Sequence, residues 1–352
     1  VRAADAFGAG ETSPSYLDLT GTIEVSGLAE QALLPGQCMS IVTGGSLPQG
    51  ADSVVMVEFT DALGSGTIEI RKSVTPGENV MLAGEDIGRE ETALGPGQRL
   101  RPQEVGLLAA LGQVEVEVYR RPRVCVLSTG DELVPPDQTP LPGQIRDVNS
   151  HTVAALARAS GAEILQSGIV PDELDALVSA LTLGLQRADV VFLSGGSSVG
   201  VRDLTIQALD KLPGAEVLVH GVAISPGKPT IVARVGSQCV FGLPGQVTSA
   251  QVVMLVLGEP LLRHLEGEVP APGSSGLQRT TAVMARNVAS RQGREDYIRV
   301  RLTRQETGPP LAHPLLGKSG LLRTLLQADG LVVIPAETEG LEQGDTVLVR
   351  RL

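Results

Sequence analysis

The segment Asp189-Val190-Val191-Phe192-Leu193-Ser194-Gly195-Gly196-Ser197-Ser198-Val199-Gly200-Val201-Arg202-Asp203 runs from apolar residues into glycines and hydroxyls, and then into the start of a helix. That order suits an anion cradle. A strand buried on both faces reads as a near-continuous apolar run, the glycines admit a ligand that a Cβ would repel, and N–H groups opening the next helix face a negative group. Alone, the segment reads equally well as a bare strand-to-helix turn. The arrangement recurs, however, in Ser128-Thr129-Gly130-Asp131-Glu132-Leu133, Pro171-Asp172-Glu173, Ser225-Pro226-Gly227-Lys228-Pro229 and Gly242-Leu243-Pro244-Gly245-Gln246. Carboxylates at such places repel an anion unless a cation intervenes. Asp131, Glu132, Asp172 and Asp203 are therefore candidates to hold a hard cation through oxygen or to position an attacking water. For Asp131 and Asp172 the ordinary alternative is capping of a helix or turn.

The elements that must position these residues alternate. Strands are expected at 121–127, 163–170, 189–194 and 215–224, with a hairpin-like stretch over 230–241. Helices are expected at 149–160, 174–181 and 247–265. Strand and helix in alternation imply a parallel, doubly wound sheet with right-handed crossovers, whose ligands bind beyond the carboxyl ends of the strands. All five polar clusters fall there. The flanks differ: short β-type runs at 21–25, 37–43, 53–58 and 66–70 read as a small barrel or sandwich. A helix is expected at 102–111, with apolar spacing at Val105, Leu108, Ala109 and Leu111. Beyond a linker at 270–276, β runs return at 280–285, 296–303, 330–335 and 346–351.

At 352 residues the chain should hold two to four domains. A net charge of −12 argues against broad nucleic-acid binding, which needs a basic surface. No apolar run approaches the length of a spanning helix and no signal peptide opens the sequence, so a soluble, cytoplasmic protein with no membrane contact is expected. Cys38, Cys125 and Cys239 lack metal-ligand spacing and read as buried free thiols. His151, His220, His264 and His313 share no ligand spacing either and read as structural.

The four motifs of the α/β unit, 128–133, 194–200, 226–229 and 242–245, occur in an order that resembles the molybdopterin molybdenumtransferase family (MoeA-like, and similar to the gephyrin E domain). Val42-Thr43-Gly44-Gly45, Gly84-Glu85-Asp86-Ile87, Gly293-Arg294-Glu295-Asp296-Tyr297 and Gly317-Lys318-Ser319-Gly320 extend the resemblance over essentially the whole chain. It implies an α/β and β multidomain protein, with a central doubly wound molybdopterin-binding domain at 120–269 flanked by β-rich domains. These would be an inserted β domain at 1–80, the remainder of an elongated domain at 81–119, and a C-terminal β-barrel at 276–352.

The implied activity inserts molybdate into adenylylated molybdopterin and releases AMP, with Mg²⁺ or a similar divalent cation. The implied assembly is a homodimer with shared sites, in possible contact with molybdoenzymes or the adenylyltransferase. Gly195, Gly196, Ser197, Ser198 and Lys228 suit the phosphate groups of the pterin. Thr129, Gly130, Asp131, Ser194, Pro226, Gly227, Pro229, Pro244 and Gly245 would complete its site, with Thr43 and Asp86 reaching across the dimer. Thr43 and Asp86 read equally well as turn residues of a β-domain. Lys228, Pro229, Ser249, Arg294 and Ser319 would meet molybdate, though Arg294 also reads as a solvated charge. Glu132, Asp172, Asp203 and Lys228 are the implied catalytic residues, and the three carboxylates are the implied metal ligands.

Three departures bear on this. The family usually carries lysine where this chain has Ser225, and Asn-Pro where it has Gln246-Val247. The sequence also begins inside what corresponds to the family's Asp-Gly-Tyr-Ala-Val segment; if that start is native, dimerisation and turnover are expected to be weakened. The rival readings are a non-catalytic pterin-binding paralogue or scaffold, and a molybdopterin adenylyltransferase.

Overall fold

The computed structural model describes residues 1–352 apart from 26, 30, 65, 196–198, 270–278 and 318–319, with backbone alone at 199–203. Val1–Ala93 form one compact unit and Leu94–Leu352 another.

In the first unit, β1 (Ser15–Ile23), β2 (Gln37–Ile41), β3 (Thr60–Ala62) and β4 (Thr67–Ile70) form one sheet in the order β2-β1-β4-β3. β1 and β2 run parallel and the other pairs antiparallel. Leu17, Cys38, Ile70 and Val74 pack on it with Ala6 and Ala9. The fold here is thus a single sheet, not the expected barrel or sandwich. The strand expected at 53–58 is absent because its backbone groups are spent elsewhere: Ser53 N bonds Val1 O and Val54 N bonds Glu78 O. A 3₁₀ turn, Val57–Phe59, ends the segment.

The second unit opens with α1 (Pro102–Ala110), which starts where the Glu104 carboxylate reaches back to Arg101 N at 2.8 Å. Glu104 is buried, while the apolar positions Val105 and Leu111 are exposed, the reverse of what spacing alone predicts. There follow β5 (Arg123–Thr129), β6 (Leu133–Val134), β7 (Ile145–Arg146), α2 (Asn149–Ala159), β8 (Glu163–Val170), α3 (Leu174–Leu185), β9 (Val190–Gly195), α4 (Val199–Asp210), β10 (Ala215–His220), β11 (Ile224–Ser225), β12 (Ile231–Val235) and β13 (Gln238–Leu243). Then α5 (Val247–Val253), a π turn (Met254–Gly258) and α6 (Glu259–Leu265) replace the single apolar helix expected there.

The central sheet has the order β10-β12-β13-β9-β5-β8, with β13, β9, β5 and β8 parallel and β12 antiparallel to both its neighbours. Alternate residues face opposite layers. Val124, Val126, Phe192 and Phe241 pack under Val153, Ala157, Ala250 and Val253 of α2 and α5. Leu127, Val191, Leu193 and Val240 pack against Leu177, Leu181 and Leu209 of α3 and α4. The strand expected to run unbroken over 215–224 breaks after His220. Gly221, at φ +93°, turns the chain, and its N–H goes to Thr230 O.

β14 (Arg279–Met284), β15 (Val288–Ala289), β16 (Glu295–Thr303), β17 (Leu311–Pro314), α7 (Leu322–Leu326), β18 (Gly330–Ile334), β19 (Gly340–Leu341) and β20 (Thr346–Arg351) complete the chain. The order β16-β17-β14-β20-β18 closes on itself through a β16–β18 pairing, giving a barrel around Met284, Val300, Val332, Ile334 and Val349. β11 adds to β16 in parallel, so a strand leaving the α/β layer joins the barrel. Arg350 of β20 reaches back to Leu255 O in the π turn and to Glu259 of α6.

Burial pushes the pKa of the free thiols Cys38, Cys125 and Cys239 up, as suits unreactive core cysteines. Among the described residues no helix is long and apolar enough to cross a membrane.

Candidate active site at one edge of the central sheet

β5 and β9 are neighbours, yet the chain leaves β5 through α2 toward β8 and leaves β9 through α4 toward β10. Their ends therefore part, and a crevice opens where the connections diverge, the position at which open α/β sheets take ligands. Thr129 and Gly195, the last residues of the two strands, lie in register across it. Thr129, buried, donates from Oγ1 to Asp172 Oδ1 at 3.0 Å, which ties the end of β5 to the turn after β8. Gly130 has φ +156°, and a Cβ there would lie 2.7 Å from Glu132 Oε2. The glycine thus leaves room for the Glu132 carboxylate to fold over the strand end. The Glu132 backbone is pinned by Ile145 N donating to its carbonyl at 2.8 Å, while Asp131 is exposed.

On the β13 side, Asn149 donates from Nδ2 to Ser194 Oγ at 2.6 Å and to Gly245 O at 2.8 Å. Ser249 lies buried in the first turns of α5. The Pro226–Pro229 turn stands on a tight floor: at Gly227, φ +128°, a Cβ would meet Ile224 Cδ1 and Val253 Cγ2 at 2.8 Å. Thr230 Oγ1 donates to Gly227 O at 2.7 Å. The turn is fixed, and it presents Lys228 to solvent.

The barrel contributes through β11. Ser225 pairs with Asp296, and Asp296 is buried with Arg294 Nε 2.9 Å from its Oδ1 and Ser290 Oγ donating to Oδ2 at 2.8 Å. The Arg294 charge is accordingly shared with Asp296. Arg299, also buried, donates from Nη1 to Thr324 Oγ1 at 2.6 Å and from Nη2 to Gly317 O at 3.1 Å. It fastens α7 and the start of the 317–320 segment to β16. Burial lowers its pKa from the ordinary guanidinium value.

The structure thus brings the ends bearing Thr129, Gly130, Asp131, Glu132, Asp172, Ser194, Gly195, Pro226–Pro229, Pro244, Gly245 and Ser249 to one edge of the sheet, with Arg294 one pairing away. Gly196, Ser197, Ser198 and Ser319 lie outside the described residues, as does the side chain of Asp203. Thr43, just past β2, and Asp86 are exposed residues of the first unit. Among the described residues no three His, Cys, Asp or Glu side chains form a metal-holding group.

Sequence reading overlooked Asn149 and Asp147. Asp147, just before α2, accepts from Ser150 N in its first turn at 3.1 Å; the signal for both was an Asp-Val-Asn triplet opening a helix. It also overlooked a cleft of about 490 Å³ along the edge strand β8, walled by Pro135, Pro136, Asp147, His151, Arg158 and Ile169.

The family models that match are the probable molybdopterin binding domain over residues 125–264, the MoeA N-terminal region (domain I and II) over 1–112, and the MoeA C-terminal region (domain IV) over 281–352. Similar proteins include the molybdopterin molybdenumtransferase of Bacillus subtilis, 32% identical over 99% of this chain and 81% of its own. Molybdopterin molybdenumtransferase 2 of Mycobacterium tuberculosis is 33% identical over 99% and 85%. A solved structure of a molybdopterin biosynthesis MoeA protein from Pyrococcus horikosii superposes with a TM-score of 0.76 at 35% identity, covering all of this chain and 85% of that one.

Proposed function

Because this chain belongs to the molybdopterin molybdenumtransferase family, we propose that it inserts molybdenum from molybdate into adenylylated molybdopterin, with release of AMP, at the carboxyl edge of its central sheet. The observation that carries the reading is the convergence of the β5, β8, β9 and β13 ends and the Lys228 turn on that edge.

The chain's own groups divide the work by charge. Gly195, at the end of β9, offers its backbone close to the crevice, where pterin phosphates would sit, and Lys228 supplies an exposed cation. A tetrahedral dianion such as molybdate needs cations and hydroxyls, which Lys228, Ser249 and Arg294 provide. Glu132, poised over Gly130, positions the water that cleaves the phosphoanhydride, and Thr129 fixes the Asp172 carboxylate at the same edge of the sheet. Glu132 and Asp172 are hard oxygen donors, Asp172 keeps one oxygen free of the Thr129 bond, and with Asp203 they would hold Mg²⁺, which offsets phosphate charge when bound. We place the protein in the cytoplasm as a homodimer, with Thr43 and Asp86 completing the partner's site.

The test is AMP release by the purified protein given adenylylated molybdopterin, molybdate and Mg²⁺. Molybdate-dependent release, lost in Glu132→Ala and in Lys228→Ala, is the expected result. Tight pterin binding with no AMP release from the wild-type protein would instead mark a non-catalytic pterin binder.

A further inference from the structure

Asn149 is 7% exposed and opens α2 at the crevice. Its amide nitrogen carries two hydrogens, and both are used, on Ser194 Oγ and on Gly245 O. A carbonyl oxygen only accepts, so the Gly245 contact requires the NH₂ group to lie on this side. Toward Asn149, Ser194 Oγ is therefore an acceptor, and its own hydrogen is left for another partner. Ser194 is the residue before Gly195, in register with Ser128 of β5.

Nearby polar atoms are left open in the same way. Ser128 Oγ, Asn149 Oδ1 and Thr248 Oγ1 are buried and have no hydrogen-bond partner among the described residues. By strand alternation, Ser128 and Ser194 continue the rows of Val126 and Phe192, which face α2 and α5. Orphaned buried hydroxyls and amides are uncommon in native proteins. Here they gather from β5, α2 and α5 at the point where β9 and β13 end.

We infer that Asn149 is the positioning residue of this anion cradle: it locks the ends of β9 and β13 together and commits the Ser194 hydroxyl as a donor to a phosphate of the nucleotide-linked pterin. The inference rests on the molybdenumtransferase reading above. The side chain has to be an amide. An aspartate has no hydrogen for Gly245 O, and a serine, with one hydroxyl hydrogen, cannot donate to both partners.

The experiment compares wild type, Asn149→Asp, Asn149→Ala and Ser194→Ala. It reads pterin-fluorescence titration with adenylylated molybdopterin, AMP-release kinetics and thermal unfolding. Losing the pair of buried donors should raise the Kd and KM for adenylylated molybdopterin about ten-fold or more, with the KM for molybdate unchanged. Ser194→Ala should reproduce part of that loss, and the Asn149→Ala/Ser194→Ala double variant should lose less than the product of the singles. Lower thermal stability with unchanged pterin affinity would overturn the inference and leave Asn149 a fold residue. Should the Asn149 variants not fold, Ser194→Ala decides: an unchanged pterin Kd overturns the inference. Wild-type protein that binds no pterin removes the functional reading and this inference together, whereas normal wild-type binding with unaltered variants removes the inference alone.

Discussion

Glu259 is the residue whose loss should loosen the barrel from the α/β layer. Its carboxylate, 13% exposed, meets the Arg350 guanidinium from β20 on one oxygen and Arg263 Nη2 at 2.7 Å on the other. Arg350 is itself only 15% exposed and also donates to Leu255 O in the π turn. Glu259→Gln removes the one anion between two guanidiniums. Breaking a buried pair from one side costs about 3–5 kcal/mol, and the low end applies because Arg263 keeps Glu268 at 3.4 Å. Arg350→Met should cost less, about 2 kcal/mol, because although both the Glu259 pair and the Leu255 carbonyl bond are lost, the carboxylate left behind keeps Arg263 and the methionine spares the desolvation of a guanidinium. At roughly 2–4 °C per kcal/mol for a unit of this class, Glu259→Gln should lower the midpoint by about 6–12 °C. Differential scanning calorimetry of both variants gives the comparison, and the double variant should cost less than the sum of the two. A shift below about 2 °C for Glu259→Gln, or a larger loss in Arg350→Met, would refute the assignment of this contact as the main electrostatic tie.

Other substitutions probe the site and its supports. Gly227→Ala places a Cβ 2.8 Å from both Ile224 Cδ1 and Val253 Cγ2 at a φ of +128°, and should cost about 1–3 kcal/mol in urea unfolding; a neutral effect would show that the turn relaxes freely. Ser225→Lys adds an ammonium next to Lys228 and opposite Asp296, and should lower the KM for molybdate about five-fold; an unchanged KM would separate position 225 from the molybdate site. The Asp189 carboxyl is held below its ordinary range, first by Arg120 and then by the Arg123 N–H at 2.7 Å. A depressed acid stabilises the folded state above its unfolded pKa and loses that contribution as pH falls through the folded one. Asp189→Asn should therefore flatten the decline in stability below about pH 4, and an unaltered acid limb in pH-dependent unfolding would contradict this.

What the sequence showed was mostly local. β8 and β20 run where the apolar patterning places them, because each is fixed by its own alternation or apolar run. The polar strand ends were legible for the same reason: glycine, hydroxyl and carboxylate types follow directly on apolar runs. What escaped depended on distant partners. The 53–58 run has strand-like composition, but residues 1 and 78 take up its backbone N–H groups. The break after His220 exists because Ile224 and Ser225 find β16, far along the chain. Asn149 looks like any helix-opening polar residue until Ser194 and Gly245 are seen to meet on it. The apolar positions of α1 have the spacing of a core face, yet Val105 and Leu111 are exposed.

The two-residue strand β11 also bears on how this architecture could be recombined. Its pairing with Glu295 and Asp296 means that the Lys228 turn is anchored at one end in the α/β layer and at the other in the barrel. The two modules consequently cannot be exchanged as independent cassettes. A chimera carrying a foreign barrel would inherit a new seat for Ser225, and with it a new height and tilt for Lys228, even with every residue from 120 to 269 unchanged. Swaps that retain the 293–297 segment of the host should keep the turn in place, so the practical seam for recombination lies inside the barrel, after the first residues of β16.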